Sequence, residues 1–192
     1  MDIVTKPGWI EVVCGPMFAG KSEELIRRAR RLDYAKKKYL VFKPAIDNRY
    51  SETEVVSHIK NKIKSISVKK ASEILKYVKN DTYAVIIDEV QFLDNEVVDI
   101  CELLANRGIR VIVGGLDTDF RGESFPIVSE LLARAEDVTK LTAICVNCGA
   151  PATKTQRIVN GVPASYNEPT ILVGASEQYE PRCRHCHEIT KK

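Results

Sequence analysis

Gly15-Pro16-Met17-Phe18-Ala19-Gly20-Lys21-Ser22 follows the β-rich run Trp9-Ile-Glu-Val-Val-Cys14. After it comes a helical pattern in which Leu25, Ala29 and Leu32 recur at i, i+4 and i+7 with Ile26 beside them. The octet fills the phosphate-loop pattern Gly-x-x-x-x-Gly-Lys-Ser/Thr at every fixed position. Its glycines let backbone N–H groups turn inward around phosphate oxygens, where a Cβ would obstruct them. Lys21 falls to the β- and γ-phosphates, the Ser22 hydroxyl to Mg²⁺, and the helix that begins here points its positive end at the anion. Strand, phosphate loop and helix at the head of a chain predict an α/β nucleotide-binding fold.

The pattern continues outward. Tyr39 to Lys43 is a second apolar run, stopped by Pro44; residues 45–64 are polar and read as a loop. Ile66 to Val68 predicts a short strand, and Ala71 to Lys79 a helix with Ile74, Leu75 and Val78 on one side. Tyr83 to Ile87 is continuously apolar, as suits a central parallel strand covered on both faces. Val97, Ile100, Cys101 and Leu104 mark an amphipathic helix closed by Gly108. Ile109 to Val113 is another buried strand, ended by Gly114-Gly115. The alternation predicts a phosphate-loop (RecA-like) parallel sheet flanked by helices. After about residue 143 the character changes: cysteine pairs appear, and Asn160-Gly161 between Arg157-Ile-Val and Val162-Pro is a hairpin signal. The expected division is a nucleotide-binding domain over 1–143 and a small zinc-binding domain over 144–192.

Composition narrows the function. The 192 residues carry 29 Lys+Arg against 26 Asp+Glu, a net charge of +3, with 44% hydrophobic and 29% charged residues, which excludes disorder, collagen and coiled coil. That charge is too mild for a dedicated nucleic-acid binder. No run of about 18 apolar residues occurs, so no membrane span is expected. The opening stretch has an acid at position 2 and no apolar segment of signal-peptide length, so the cytoplasm is expected. Cys14 and Cys101 stand alone in apolar segments and read as small buried residues. Cys145/Cys148 and Cys183/Cys186 form two Cys-x-x-Cys pairs, a spacing that suits tetrahedral Zn²⁺. Four thiolates leave no open coordination position, so the metal would be structural. His185 and His187 beside the second pair read as solvated. So does the basic face from Arg27 to Lys38, which holds seven Lys or Arg residues.

At the end of the run Tyr83–Ile87, Asp88 stands where an acid at the carboxyl end of a central strand reaches the Mg²⁺ shell. Glu89 follows, and from spacing alone two readings stay open. It is either a general base toward an acceptor hydroxyl or a structural acid, since paired acids also occur in ATPases that activate water.

Several motifs in order then match one family. The phosphate loop with Glu23-Glu-Leu-Ile-Arg-Arg28, then Asp88-Glu89-Val-Gln91-Phe92, Gly115-Leu116-Asp117 with Phe120 and Phe125, Leu141-Thr-Ala-Ile-Cys145-Val-Asn-Cys148, and Val173-Gly174-Ala-Ser-Glu-Gln-Tyr179-Glu-Pro-Arg-Cys183-Arg-His-Cys186 closely resemble the zinc-containing thymidine kinases. The resemblance spans nearly the whole chain. It implies transfer of the ATP γ-phosphoryl group to the 5′-hydroxyl of thymidine, with Glu89 as base and Ser22 and Asp88 serving Mg²⁺. Gly15 to Ser22, Asp88, Gln91, Asp47 and Arg49 are then on the ATP side. Asn48 departs from the family's Asp-Thr-Arg segment, while Asp47 and Arg49 match it.

The thymidine pocket carries over as Met17, Phe92, Leu116, Phe120, Phe125, Thr155 and Tyr179. Thr170, Ile171, Leu172 and Val173 would supply a backbone edge, within a lasso-like loop between the cysteine pairs. The resemblance also implies a homotetramer, inhibition by thymidine triphosphate, and structural Zn²⁺ on Cys145, Cys148, Cys183 and Cys186. The alternatives are an ATP-driven nucleic-acid module with a zinc ribbon, and a GTP switch. The first is opposed by the low charge and the lack of aromatics interleaved with a basic stripe. The second lacks an Asn-Lys-x-Asp guanine reader, since Asn61-Lys-Ile-Lys64 ends in the wrong charge.

Overall fold

The computed structural model describes residues 8–45, 54–56, 62–170 and 177–190. In chain order the first half holds β1 (Trp9–Cys14), α1 (Lys21–Tyr34), β2 (Tyr39–Pro44), β3 (Glu54–Val56), β4 (Lys62–Lys64), β5 (Ile66–Val68) and β6 (Ala84–Ile87). Then come α2 (Glu96–Asn106), β7 (Arg110–Gly115), α3 (Pro126–Arg134) and β8 (Asp137–Lys140). Strands β5-β2-β6-β7-β1-β8 hydrogen-bond in that order into one six-stranded sheet, every pair parallel.

The apolar runs are continuous because both sheet faces are covered. Alternate residues along each strand go to opposite faces. Val13, Ala84, Ile86 and Ile112 meet Leu25, Ile26, Ala29 and Leu32 of α1. Ile10, Val12, Val85, Ile87, Val111 and Val113 meet α2, α3 and a 3-10 helix over Ala71–Lys76. Leu25 and Leu104 are fully buried on opposite sides. Truncating either to alanine would cost about 2–5 kcal/mol.

The chain departs from the sequence reading at four places. The 71–79 segment is a 3-10 helix over Ala71–Lys76 and not a longer α-helix. The polar stretch 45–64 contains an antiparallel pair, β3 with β4, in the register Glu54↔Lys64. β7 does not stop at Val113; Gly114 and Gly115 are its last two residues and pair with Val13 and Cys14. Arg28 is not on a solvated face. It occupies the inward stripe of α1, buried, with Glu24 at 2.8 Å, Thr139 Oγ1 at 2.8 Å and the buried carboxylate of Glu11 as partners. Arg110 and the Trp9 indole N–H also donate to Glu11, which fastens α1 to β1 and β7.

Beyond Lys140 the strands become short and antiparallel. β9 (Ala143–Ile144) pairs with β10 (Pro151–Ala152), and β11 (Lys154–Val159) lies between β12 (Val162–Pro163) and β13 (Glu177–Arg182). The hairpin signal is borne out: Val159 faces Val162, and Asn160 and Gly161 have φ of 51° and 80°, the two positive values a type I′ turn needs.

Candidate active site

The carboxyl ends of β6, β7 and β1 lie side by side in the sheet, which is where open α/β sheets bind ligands. The phosphate loop leaves β1 at Gly15, whose φ is 142° and where a Cβ would stand 2.4 Å from the Leu141 carbonyl oxygen. No other residue fits there. Gly20, at φ 83°, turns the chain into α1, so the first helical N–H groups face the loop. Lys21 Nζ donates to the Pro16 carbonyl at 2.7 Å across the loop. Burial lowers the Lys21 pKa, opposed by Asp88, Glu89 and Asp117. Phe18 is exposed at the loop tip with φ 65°.

From β6 the acids arrive as the sequence orders them. Ser22 Oγ donates to Asp88 Oδ2 at 3.1 Å, and Asp88 Oδ1 accepts the Glu89 N–H at 2.9 Å. The two residues expected to share Mg²⁺ are therefore brought into direct contact. Room for this carboxylate comes from Gly114, where a Cβ would stand 3.2 Å from Asp88 Oδ1 and 2.6 Å from Leu25 Cδ1. Burial raises the Asp88 pKa, with its hydrogen bonds from Glu89 and Ser22 opposing.

Glu89 sits at φ 53°, ψ 40°, in the left-handed region, where the chain turns out of β6. Glu89 is exposed at its surface, yet desolvation by the protein around its carboxyl, together with the Asp88 charge, pushes it up to about 7. A carboxyl poised there can exchange a proton near neutral pH.

The other candidate residues fall into three groups. Phe92 and Phe125 meet edge to face, ring centroids 6.2 Å apart, and the Leu116 N–H donates to Gln91 Oε1 at 3.1 Å. Gln91 is buried and ties the Asp88–Phe92 turn to the end of β7. Thr155 Oγ1 accepts the Met17 N–H at 3.0 Å, so β11 braces the phosphate loop. Phe120, Thr170 and Tyr179 gather around Arg157, a wholly buried arginine. Asp47, Arg49, Ile171, Leu172 and Val173 lie outside the described residues.

The sequence reading missed Arg157 and Arg121, and it gave no role to Asp117, which is buried with its Oδ2 paired to Lys140 at 2.9 Å. His185 is exposed as read, but His187 is not merely solvated. Its Nε2 lies 2.8 Å from the Phe120 carbonyl oxygen, and burial lowers its pKa. A signal existed for Asp117 in the Leu116-Asp117 pair, but none for the others.

The four paired cysteines converge. Their Sγ atoms all lie within 4.8 Å of one another, with Cys148 and Cys183 at 3.6 Å. A tetrahedral ion with Zn–S bonds of about 2.3 Å needs sulfurs about 3.8 Å apart, so the set fits a structural zinc. Ala19 of the phosphate loop packs against this cluster, so the metal site and the phosphate loop share a wall. Cys14 and Cys101 are fully buried, as expected, and burial raises both thiol pKa values. Among the described residues no helix is long and apolar enough to cross a membrane.

Comparison with known families agrees with this geometry. The family model described as thymidine kinase matches residues 8–187, from the start of β1 through the second cysteine pair. With the phosphate loop, the paired acids and the four-cysteine cluster in one continuous match, the chain belongs to the thymidine kinase family, an ATP-dependent phosphotransferase acting on thymidine.

Proposed function

We propose that this chain moves the γ-phosphoryl group of ATP to the 5′-hydroxyl of thymidine, with its own residues in the following roles. The observation that carries the reading is the Ser22–Asp88 hydrogen bond at the phosphate loop, with Glu89 beside it where the chain turns out of β6. Loop N–H groups and Lys21 hold the phosphates. Ser22 and Asp88 would hold Mg²⁺, which, bound with ATP, neutralises charge on the β- and γ-oxygens. Glu89 accepts the proton of the 5′-hydroxyl as that oxygen bonds to the γ-phosphorus. The bond from phosphorus to the β,γ-bridging oxygen breaks, and ADP leaves with its new charge facing Lys21.

On the nucleoside side we assign Met17, Phe92, Leu116, Phe120, Phe125, Thr155, Thr170, Tyr179 and the 171–173 segment. Apolar and aromatic walls with a few polar contacts suit a flat pyrimidine. Asp47, Arg49 and Gln91 belong to the ATP side of this proposal. It divides the chain at 143/144, places it in the cytoplasm in nucleoside salvage for DNA synthesis, and assembles it as a homotetramer. It also makes thymidine triphosphate an inhibitor that spans both subsites. The test is incubation with ATP, Mg²⁺ and a panel of nucleosides, scoring which is phosphorylated and at which oxygen. Thymidine monophosphate esterified at the 5′ position is expected, and a panel with no phosphorylated nucleoside would end the reading. Thymidine triphosphate in the same assay should compete with thymidine and with ATP, and sedimentation should give four times the chain mass.

Zinc is expected at one ion per chain on Cys145, Cys148, Cys183 and Cys186. Loss of one thiolate leaves an incomplete tetrahedron, and metal binding free energy is folding free energy in so small a unit. Cys183→Ser should therefore disorder β9–β13 at a temperature where the six-stranded sheet persists. Metal analysis of freshly purified protein without zinc would remove this assignment.

A further inference from the structure

Arg121 and Arg157 approach the same three residues from different elements. Arg157, on β11, is 0% exposed; its Nη1 donates to the Pro169 carbonyl and its Nη2 to the Thr170 carbonyl, both at 2.6 Å. Arg121, in the turn after β7, donates from Nη2 to the Glu168 carbonyl at 3.1 Å and to Thr170 Oγ1 at 2.8 Å. Residues 168, 169 and 170 are thus held by two side chains from earlier in the chain, 12 or more residues away.

Both guanidiniums also lie over the Phe120 ring, Arg157 at 4.1 Å and Arg121 at 5.1 Å from its centroid. Nε of Arg157 donates to the Tyr179 hydroxyl at 2.9 Å. A guanidinium has a planar fork for carbonyl oxygens and a flat face for an aromatic ring. Each arginine uses both at once here. Burying the Arg157 charge is costly unless its hydrogen bonds are made, and its Nε, Nη1 and Nη2 all donate; Arg121 is partly exposed, with its Nε 3.5 Å from Asp119 Oδ2.

We propose that Arg121 and Arg157 form a clamp that positions the nucleoside side of the site. They lock Phe120, Tyr179 and the 168–170 backbone into one wall, so that thymidine affinity depends on them while ATP affinity does not. Neither arginine is a catalytic residue; each acts through the groups it holds. The inference rests on the assignment of Phe120 and Tyr179 to the thymidine pocket. The phosphate loop, by contrast, is braced from β11 through the Met17 N–H donating to Thr155 Oγ1.

The experiment compares Arg121→Ala, Arg157→Lys, Arg121→Lys and Phe120→Ala for KM of thymidine, KM of ATP, kcat, zinc content and melting temperature. Arg121 is partly exposed, so its alanine variant should fold, and its result decides the matter alone if Arg157→Lys does not. Losing charge-assisted hydrogen bonds should raise KM for thymidine about tenfold, with KM for ATP and zinc content unchanged. Arg121→Lys, which keeps the charge but not the fork, should recover only part of the loss.

If KM for thymidine stays at the parent value in Arg121→Ala while it rises in Phe120→Ala, the pocket stands and the clamp is overturned. An unchanged KM in both variants overturns the pocket assignment and the clamp with it. A parallel rise of both KM values with a fall in melting temperature overturns the clamp too, because that is what a merely structural role produces.

Discussion

Lys21→Ala is expected to lower kcat by about 10³-fold or more while the chain keeps its fold, because a preorganised cation at a transferring phosphoryl group has no substitute in a water-poor site. The wild-type ammonium already sits at its post, donating to the Pro16 carbonyl at 2.7 Å, and burial lowers its pKa. Partial desolvation strengthens its field at a neighbouring phosphate. The fold has little to lose, since Lys21 packs into neither face of the sheet core nor the cysteine cluster, and its hydrogen bond to Pro16 stays within the loop. Lys21→Arg is a sharper version of the test. It preserves the charge but replaces a compact ammonium by a wide planar fork, so it should stay strongly impaired. Circular dichroism establishes the fold, and single-turnover kinetics with saturating ATP and thymidine gives the rate. Parent-level turnover by folded Lys21→Ala would withdraw the phosphate-loop assignment.

How far the sequence carries depends on whether a feature is local. The phosphate loop is legible because its requirement is local: Gly15 admits no side chain against Leu141, Gly20 turns into α1, and Lys21 and Ser22 follow within one helical turn. The parallel strands are legible for a related reason. Burial on both faces writes itself as unbroken apolar runs such as Ala84–Ile87.

Long-range partners leave no such mark. Arg28 looks like one more surface charge in a basic stretch, yet it sits three residues after Leu25 and four before Leu32 on the buried stripe. Its long-range partners, Glu11 inside the apolar run of β1 and Thr139 on β8, come from distant elements. Gly114 and Gly115 read as a stop because glycine usually punctuates. Their use here is to leave space for Asp88, Leu25 and Gln91, which arrive from other elements. The β3–β4 pair hides in a polar segment because three-residue strands carry too few positions for a period to show.

The nucleoside side follows the same rule. Phe120, Tyr179 and Thr170 are joined by Arg157 across 37, 22 and 13 residues of chain, and in the polar strand Lys154–Val159 a buried arginine resembles an exposed one until its neighbours are known. His187 owes its contact with Phe120 to the second cysteine pair immediately before it. That contact joins the cysteine cluster to Phe120 of the proposed pocket through a residue that motif spacing leaves unassigned.

Glu89→Gln is expected to lower kcat by about 10²- to 10⁴-fold with little change in either substrate's KM, the span that general-base help typically supplies. The parent enzyme should lose activity as pH falls through about 7, where burial and the Asp88 charge place the Glu89 carboxyl, and that limb should vanish in the variant. Asp88 shifts in the same direction, so the limb belongs to the pair, and the variant's flat profile is what attributes it to Glu89.

Stability should move the opposite way to activity. A carboxyl whose folded pKa stands above its unfolded value near 4.5 destabilises the fold once ionised. That cost is fully present above about pH 7 and fades as pH falls toward 4.5. Glu89→Gln should thus melt above the parent at pH 8, with the difference shrinking toward pH 5. Asp88→Asn provides the contrast. It removes the charge and one of the two acceptor oxygens beside the Mg²⁺ position, so its defect should recede as Mg²⁺ is raised, whereas that of Glu89→Gln should not. Full turnover in Glu89→Gln, or its rescue by excess Mg²⁺, would mean that the two acids exchange roles, because a missing proton acceptor cannot be replaced by more metal.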